Sequence, residues 1–186
     1  MQEQLAALTH SLEDAQARLR RLSDTTPEDA WRVPPGPARW SAADCVEHLN
    51  LTSRAYIPRL RDAIAEAREL HSAPVANYRR DPVGWFLSLM IGPMHHVGRV
   101  RIGKVKTTPD FIPQGRQPTR ALISEFVRLQ SELMTIIRSA DALPLDRVEI
   151  VSPFGERMRY NAYSALVVVA RHEHRHIDQA QEALGR

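Results

Sequence analysis

The stretch VVVARHEHRHIDQAQ, residues 167–181, decides how the chain folds and where its chemistry sits. At about 100° per residue, His172 and His176 fall about 40° apart, on the same side as Ala165, Val169, Ala180 and Ala183. The segment therefore reads as a helix whose apolar face carries two imidazoles one turn apart. At that spacing side chains lie about 5–6 Å from each other and can converge on one cation. The other reading is that both rings hydrogen-bond to neighbouring core side chains, because buried imidazoles need partners of some kind. Glu173 lies at the edge of the same face, where it can serve as a supporting group or a proton acceptor. His174 falls on the opposite side beside Gln181 and is expected in solvent.

His172 to His176 also matches H-E-x-x-H, the zinc-protease pattern in which the glutamate is the general base. No histidine follows His176, and Glu182 falls off the ligand face, which argues against a protease site. A third ligand has to come from elsewhere, and His48 is the candidate. It shares a helical face with Ser41, Cys45, Thr52 and Tyr56, a face less apolar than the opposite flank of Ala42, Val46, Leu49 and Leu60. A lone histidine there also fits a structural role. With His172 and His176 it makes three neutral nitrogen donors from two helices, with coordination positions left for water or substrate.

Working outward, residues 3 to 22 form a first helix, with Leu5, Leu8, Leu12, Ala15 and Leu19 at three- and four-residue steps. Breakers crowd the stretch from Trp31 to Trp40. Ser41 and Asp44 then form a capping box that starts a second helix running toward Leu70, with a kink expected near Ala55 to Ile57 because of Pro58. Residues 71–118 hold six prolines and read as a long irregular connection, of the kind that serves as a lid or pocket wall. A third helix covers residues 119–141. A small β-hairpin follows, with PFG at its turn, and a fourth helix runs from about Asn161, its N-cap, to Leu184. The expectation is an all-α protein: a single domain over residues 1–186, an up-and-down four-helix bundle with a small hairpin before the last helix. In such bundles sites are built from side chains projecting into the core.

Composition narrows the function. The 186 residues carry 25 basic and 22 acidic side chains, and the excess is local: between Tyr78 and Arg120 there are eight basic residues against two acidic ones. The pI near 9.4 thus comes from one segment, and with only two lysines, Lys104 and Lys106, in the whole chain, an arginine bias explains its charge more simply than phosphate binding does. No helix shows a continuous basic face, so nucleic acid is not the expected partner. No apolar run approaches the roughly 20 residues of a membrane span, and the start MQEQLAALTH lacks the pattern of a secretion signal. A cytoplasmic location is the expectation. Cys45, the single cysteine, excludes an internal disulfide and a thiolate-rich zinc site, so any metal falls to the eight histidines.

The segments RWSAADCVEHLN around His48, SPFGERM at the hairpin turn, KTTPDFIP from Lys106 to Pro113 and the closing RHEHRHIDQ resemble the DinB/YfiT-like metalloenzyme family over nearly the whole chain. The matching positions are Trp40, Ser41, His48, His172, His176 and Gln179. The resemblance implies a four-helix bundle, a divalent metal such as nickel or zinc on His48, His172 and His176, and a homodimer. It also implies thiol-dependent transfer with low-molecular-weight thiols, or metal-dependent hydrolysis, on a small-molecule substrate. The alternative function is a non-catalytic stress-response or binding module that uses residues 78–120 to meet nucleic acid or protein. His95 and His96 are candidates for the pocket mouth, and Arg99, Arg101, Lys104 and Lys106 for attracting an anionic thiol. Cys45 is either near the metal or, more simply, a small buried hydrophobe.

Overall fold

The computed structural model describes residues 1–70, 73, 75–93, 96–97, 100–101 and 107–185. Its frame is four long helices: α1 (Glu3–Thr25), α2 (Ala42–Glu69), α4 (Thr119–Ser139) and α5 (Ala162–Ala183), with a short α3 (Pro82–Met90) between the middle two. Leu5, Leu8, Leu12, Ala15, Leu19 and Leu22 form the buried stripe of α1, as the sequence periodicity predicts. Ser41 caps α2 reciprocally: its hydroxyl accepts from Asp44 N at 3.2 Å and the Asp44 carboxylate accepts from Ser41 N at 2.9 Å. Asn161 caps α5, its Oδ1 accepting from Ser164 N at 2.7 Å. Pro58 interrupts no helix boundary. It sits on the exposed side of α2, where water can serve the Arg54 carbonyl that loses its usual donor.

Helix direction refines the expected alternation. Arg54, Arg61 and Arg68 of α2 meet Glu125, Glu132 and the Ser139 carbonyl of α4, so these two helices run parallel. Gln4, Ser11 and Arg18 of α1 meet Tyr163, His174 and Asp178, so α1 and α5 are parallel as well. Across the bundle, α2 packs on α5 and α1 packs on α4, each antiparallel. The order is up-down-down-up. Consecutive parallel helices need a connection that travels the length of α2, roughly 42 Å for its 28 residues, which accounts for the 71–118 segment.

That segment is less irregular than its prolines suggest. Asp81 accepts from Gly84 N at 2.9 Å and Pro82 occupies the first turn, which together start α3. Gly84, Leu87 and Ser88 face α5. Further on, His96–Val97 (β1) pairs antiparallel with Val100–Arg101 (β2), and Pro109–Phe111 makes one 3₁₀ turn against α2. The second hairpin is the expected one: β3 (Glu149–Val151) pairs with β4 (Arg159–Asn161), Ile150 opposite Tyr160. Tyr56 and Tyr160 join it to α2 through a 2.6 Å contact between their hydroxyls, and Tyr160 donates on to Ser152 Oγ at 3.2 Å.

The buried interior divides in two. One apolar cluster is built around Leu60, Leu133 and Val168, the other around Leu19, Ala42, Phe126 and Ile177. Between them lies a layer of buried polar side chains: His48, Asn50 and Thr52 on α2, Gln130 on α4, and His172, Glu173 and His176 on α5. No helix among the described residues is long and apolar enough to cross a membrane.

Candidate metal centre

The site occupies that polar layer. His48, His172 and His176 are buried, and each offers a ligand atom within 4.8 Å of the other two. The ring centroids form a tight triangle: 4.4 Å from His176 to each of the others, and 5.1 Å from His48 to His172. His48 Nε2 lies 3.0 Å from His172 Nε2. His48 Nδ1 lies 2.8 Å from the Phe111 carbonyl, which can only accept, so the proton is assigned to Nδ1 and Nε2 keeps a lone pair. A ligating histidine is ordinarily held in this way, by its second nitrogen.

Burial keeps all three rings neutral. It lowers the pKa of His48 to about 4, partly offset by the Phe111 carbonyl, and drives His172 and His176 well below the usual imidazole value. The neighbouring imidazoles and the Arg175 guanidinium lower the latter two further. Among the described residues, His172 Nδ1 and His176 Nδ1 are buried with no partner at hydrogen-bond geometry, although the Ile91 backbone partly offsets the lowering at His172 and the Gln179 side chain that at His176. Three buried, neutral nitrogen donors that converge on one point could hold a divalent cation.

Aromatic rings close the surroundings. Trp40 packs against His48 and His176 at 4.9 and 5.8 Å, and Phe154 lies 5.8 Å from His172 and 5.3 Å from Phe111. Arg175 donates to the carbonyls of Met90 at 2.8 Å and Gly92 at 3.4 Å, fastening the end of α3 beside the histidines.

The other expected site residues are placed differently. Glu173 is fully buried but stands outside the three-histidine group, its Oε1 accepting from Gln130 Nε2 at 2.6 Å across the bundle. Burial raises its pKa to about 8, against the lowering effect of the Gln130 hydrogen bond. Cys45 is a small hydrophobe in the second apolar cluster, its thiol pushed up to about 12 by burial and then by Asp44. His174, expected in solvent, is instead a half-buried link to α1. It accepts from Arg18 at 3.2 Å and lies 2.9 Å from Ser11 Oγ, because α1 covers the helical face that the sequence leaves without an assigned neighbour. His71, His95, Arg99, Lys104 and Lys106 lie outside the described residues, and His96 and Arg101 are described only in backbone.

Sequence reasoning missed the Phe111 carbonyl, Gln130 and Arg175. A backbone carbonyl carries no signature in sequence, whereas the Asp81-Pro82 start of α3 was a readable helix signal.

The family model described as the DinB superfamily matches residues 11–180 of the chain. No curated protein and no solved structure matches it.

Proposed function

The chain belongs to the DinB superfamily, and on that premise we propose that His48, His172 and His176 hold a divalent metal, nickel or zinc, at which a small molecule undergoes transfer or hydrolysis. The observation that carries this reading is the convergence of three buried imidazoles from α2 and α5 within 4.8 Å. When bound, such an ion supplies Lewis acidity and lowers the pKa of a water or thiol it holds. The chain's own residues do the rest. Burial keeps the three rings in the lone-pair form, the Phe111 carbonyl orients His48, and Trp40, Phe111 and Phe154 exclude water.

Glu173 enters the proposal as a supporting group on α5. Its pKa of about 8 is close to the range where acid–base groups work; Gln130 holds one oxygen, and the other is buried with no hydrogen-bond partner among the described residues. The sequence resemblance supports a low-molecular-weight thiol as co-substrate and a homodimer as the assembly. The single buried thiol is compatible with a cytoplasmic setting.

Elemental analysis of the purified protein tests the reading. Stoichiometric metal in the wild type and its loss in both His48→Ala and His172→Ala are expected, with a screen of small thiols to follow. Stoichiometric metal retained in both variants overturns the assignment.

A further inference from the structure

Glu47 is the residue before His48 and is only 7% exposed, yet among the described residues no cation pairs with it. Its two carboxylate oxygens are taken by two successive backbone amides: Gln114 N donates to Oε1 at 3.1 Å and Gly115 N to Oε2 at 2.9 Å. Consecutive amides converge on one anion when the second residue turns left-handed, and Gly115 has φ +66. Arg32 holds the far side of the turn, donating to the Gly115 carbonyl at 3.0 Å and to the Gln117 carbonyl.

The same loop supplies the carbonyl that orients His48. Between Phe111 and Gln114 the chain is stiff: Ile112 is extended at φ −77, ψ 123, and Pro113 has its φ set by its ring. Adjacent residues of α2 therefore grip one short loop at two points, Glu47 through the amides of 114 and 115 and His48 through the carbonyl of 111.

We propose that Glu47 is a positioning residue of the metal centre: by clamping the 114–115 amides it holds the Phe111 carbonyl where it keeps the proton of His48 on Nδ1 and aims Nε2 at the ion. This role rests on the reading of the three histidines as metal ligands. It differs from a purely structural role because releasing the loop changes the tautomer and direction of one imidazole. Glu47→Gln presents an NH₂ to one of the two amides, so one grip is lost with little change in volume. Gly115→Ala attacks the same contact from the other side. A Cβ there meets nothing nearer than Arg32 Nη1 at 4.0 Å, so its effect comes through the left-handed φ.

Two measurements test the role. In metal-free protein, imidazole ¹⁵N shifts report the His48 tautomer: Nδ1–H in the wild type, and a mixture of both forms in Glu47→Gln and Gly115→Ala. With cobalt(II) added alone as probe, Glu47→Gln binds roughly 10–100-fold more weakly than the wild type, with a shifted d–d absorption. Gly115→Ala moves the same way by less. Ile137→Val, a comparable mild destabilisation in the distant core, leaves both readouts unchanged. Wild-type tautomer and wild-type cobalt affinity in both loop variants overturn the role of Glu47, and if Glu47→Gln does not fold, Gly115→Ala alone decides. Absence of cobalt binding by the wild type, with the tautomer change still present, overturns the metal reading and with it the placement of Glu47 in a metal centre.

Discussion

His48 Nε2 and His172 Nε2 stand 3.0 Å apart across the α2–α5 interface, 124 residues apart in sequence. His48 donates its Nδ1–H to the Phe111 carbonyl and keeps a lone pair on Nε2, so at most one proton lies between the two facing atoms. On the proposed reading, a divalent ion held by the triad would bind the folded chain and not the unfolded one, in which the three imidazoles are not brought together. Zinc or nickel at about 100 times its Kd should therefore stabilise the fold by about 2.7 kcal/mol, or roughly 5–10 °C in Tm for a chain of this size. Thermal unfolding with and without chelator measures this. Equal Tm in both conditions would count against a site.

Stability of the metal-free protein should fall in acid. The three imidazoles have folded pKa values below their unfolded value of 6.5, so the unfolded chain binds more protons as pH drops through 6.5 toward 4. Each histidine contributes a slope of about 1.4 kcal/mol per pH unit over the range between its two pKa values. Glu173 acts in the opposite sense. With a folded pKa raised to about 8 from 4.5, its contribution is present below 4.5 and is lost as pH rises toward 8. Chelated protein should be most stable near pH 6.5–7, as read from urea midpoints across pH 4–9.

Glu173→Gln isolates the second effect. A glutamine there keeps the acceptor for Gln130 Nε2 and adds a donor for Gln130 Oε1, which is otherwise buried without a partner among the described residues. The variant should gain stability relative to the wild type at pH 8–9, lose the decline above pH 7, and retain metal. Unchanged pH dependence would place the carboxyl's proton elsewhere.

Gly84→Ala should be costly. An added Cβ would sit 2.2 Å from Ser164 Cβ, an atom fixed to the α5 backbone, so α3 must move off α5. Overpacking of this kind costs about 1–3 kcal/mol, and the upper end is expected because neither atom is the end of a flexible side chain. Denaturant unfolding checks the value, and wild-type stability would show that α3 does not pack this closely.

Tyr56→Phe removes one hydroxyl of the Tyr56–Tyr160–Ser152 chain and leaves Tyr160 with Ser152 alone. A loss of about 1–2 kcal/mol is expected. Amide exchange in β3 and β4 should quicken more than in α1, because the chain fastens the hairpin to α2.

Much of this molecule is legible one segment at a time. The leucines of α1, the Ser41–Asp44 cap of α2, the Asn161 cap of α5, the hairpin and the shared face of His172 and His176 all follow from spacings of a few residues, which local sequence encodes directly. His48 joined them through the resemblance as much as through its own surroundings. What the sequence determined by itself was the four long helices and the side chains each could offer. Only the tertiary structure decided what they meet. The parallel course of α2 and α4, the α1 surface over His174, the Gln130–Glu173 bond across the core and the Phe111 carbonyl on His48 all join residues 43 to 163 positions apart. Helical periodicity says which side chains share a face but not which neighbour covers it, and a backbone carbonyl is the same atom pair at every residue. Those choices were left to the packing of the whole chain.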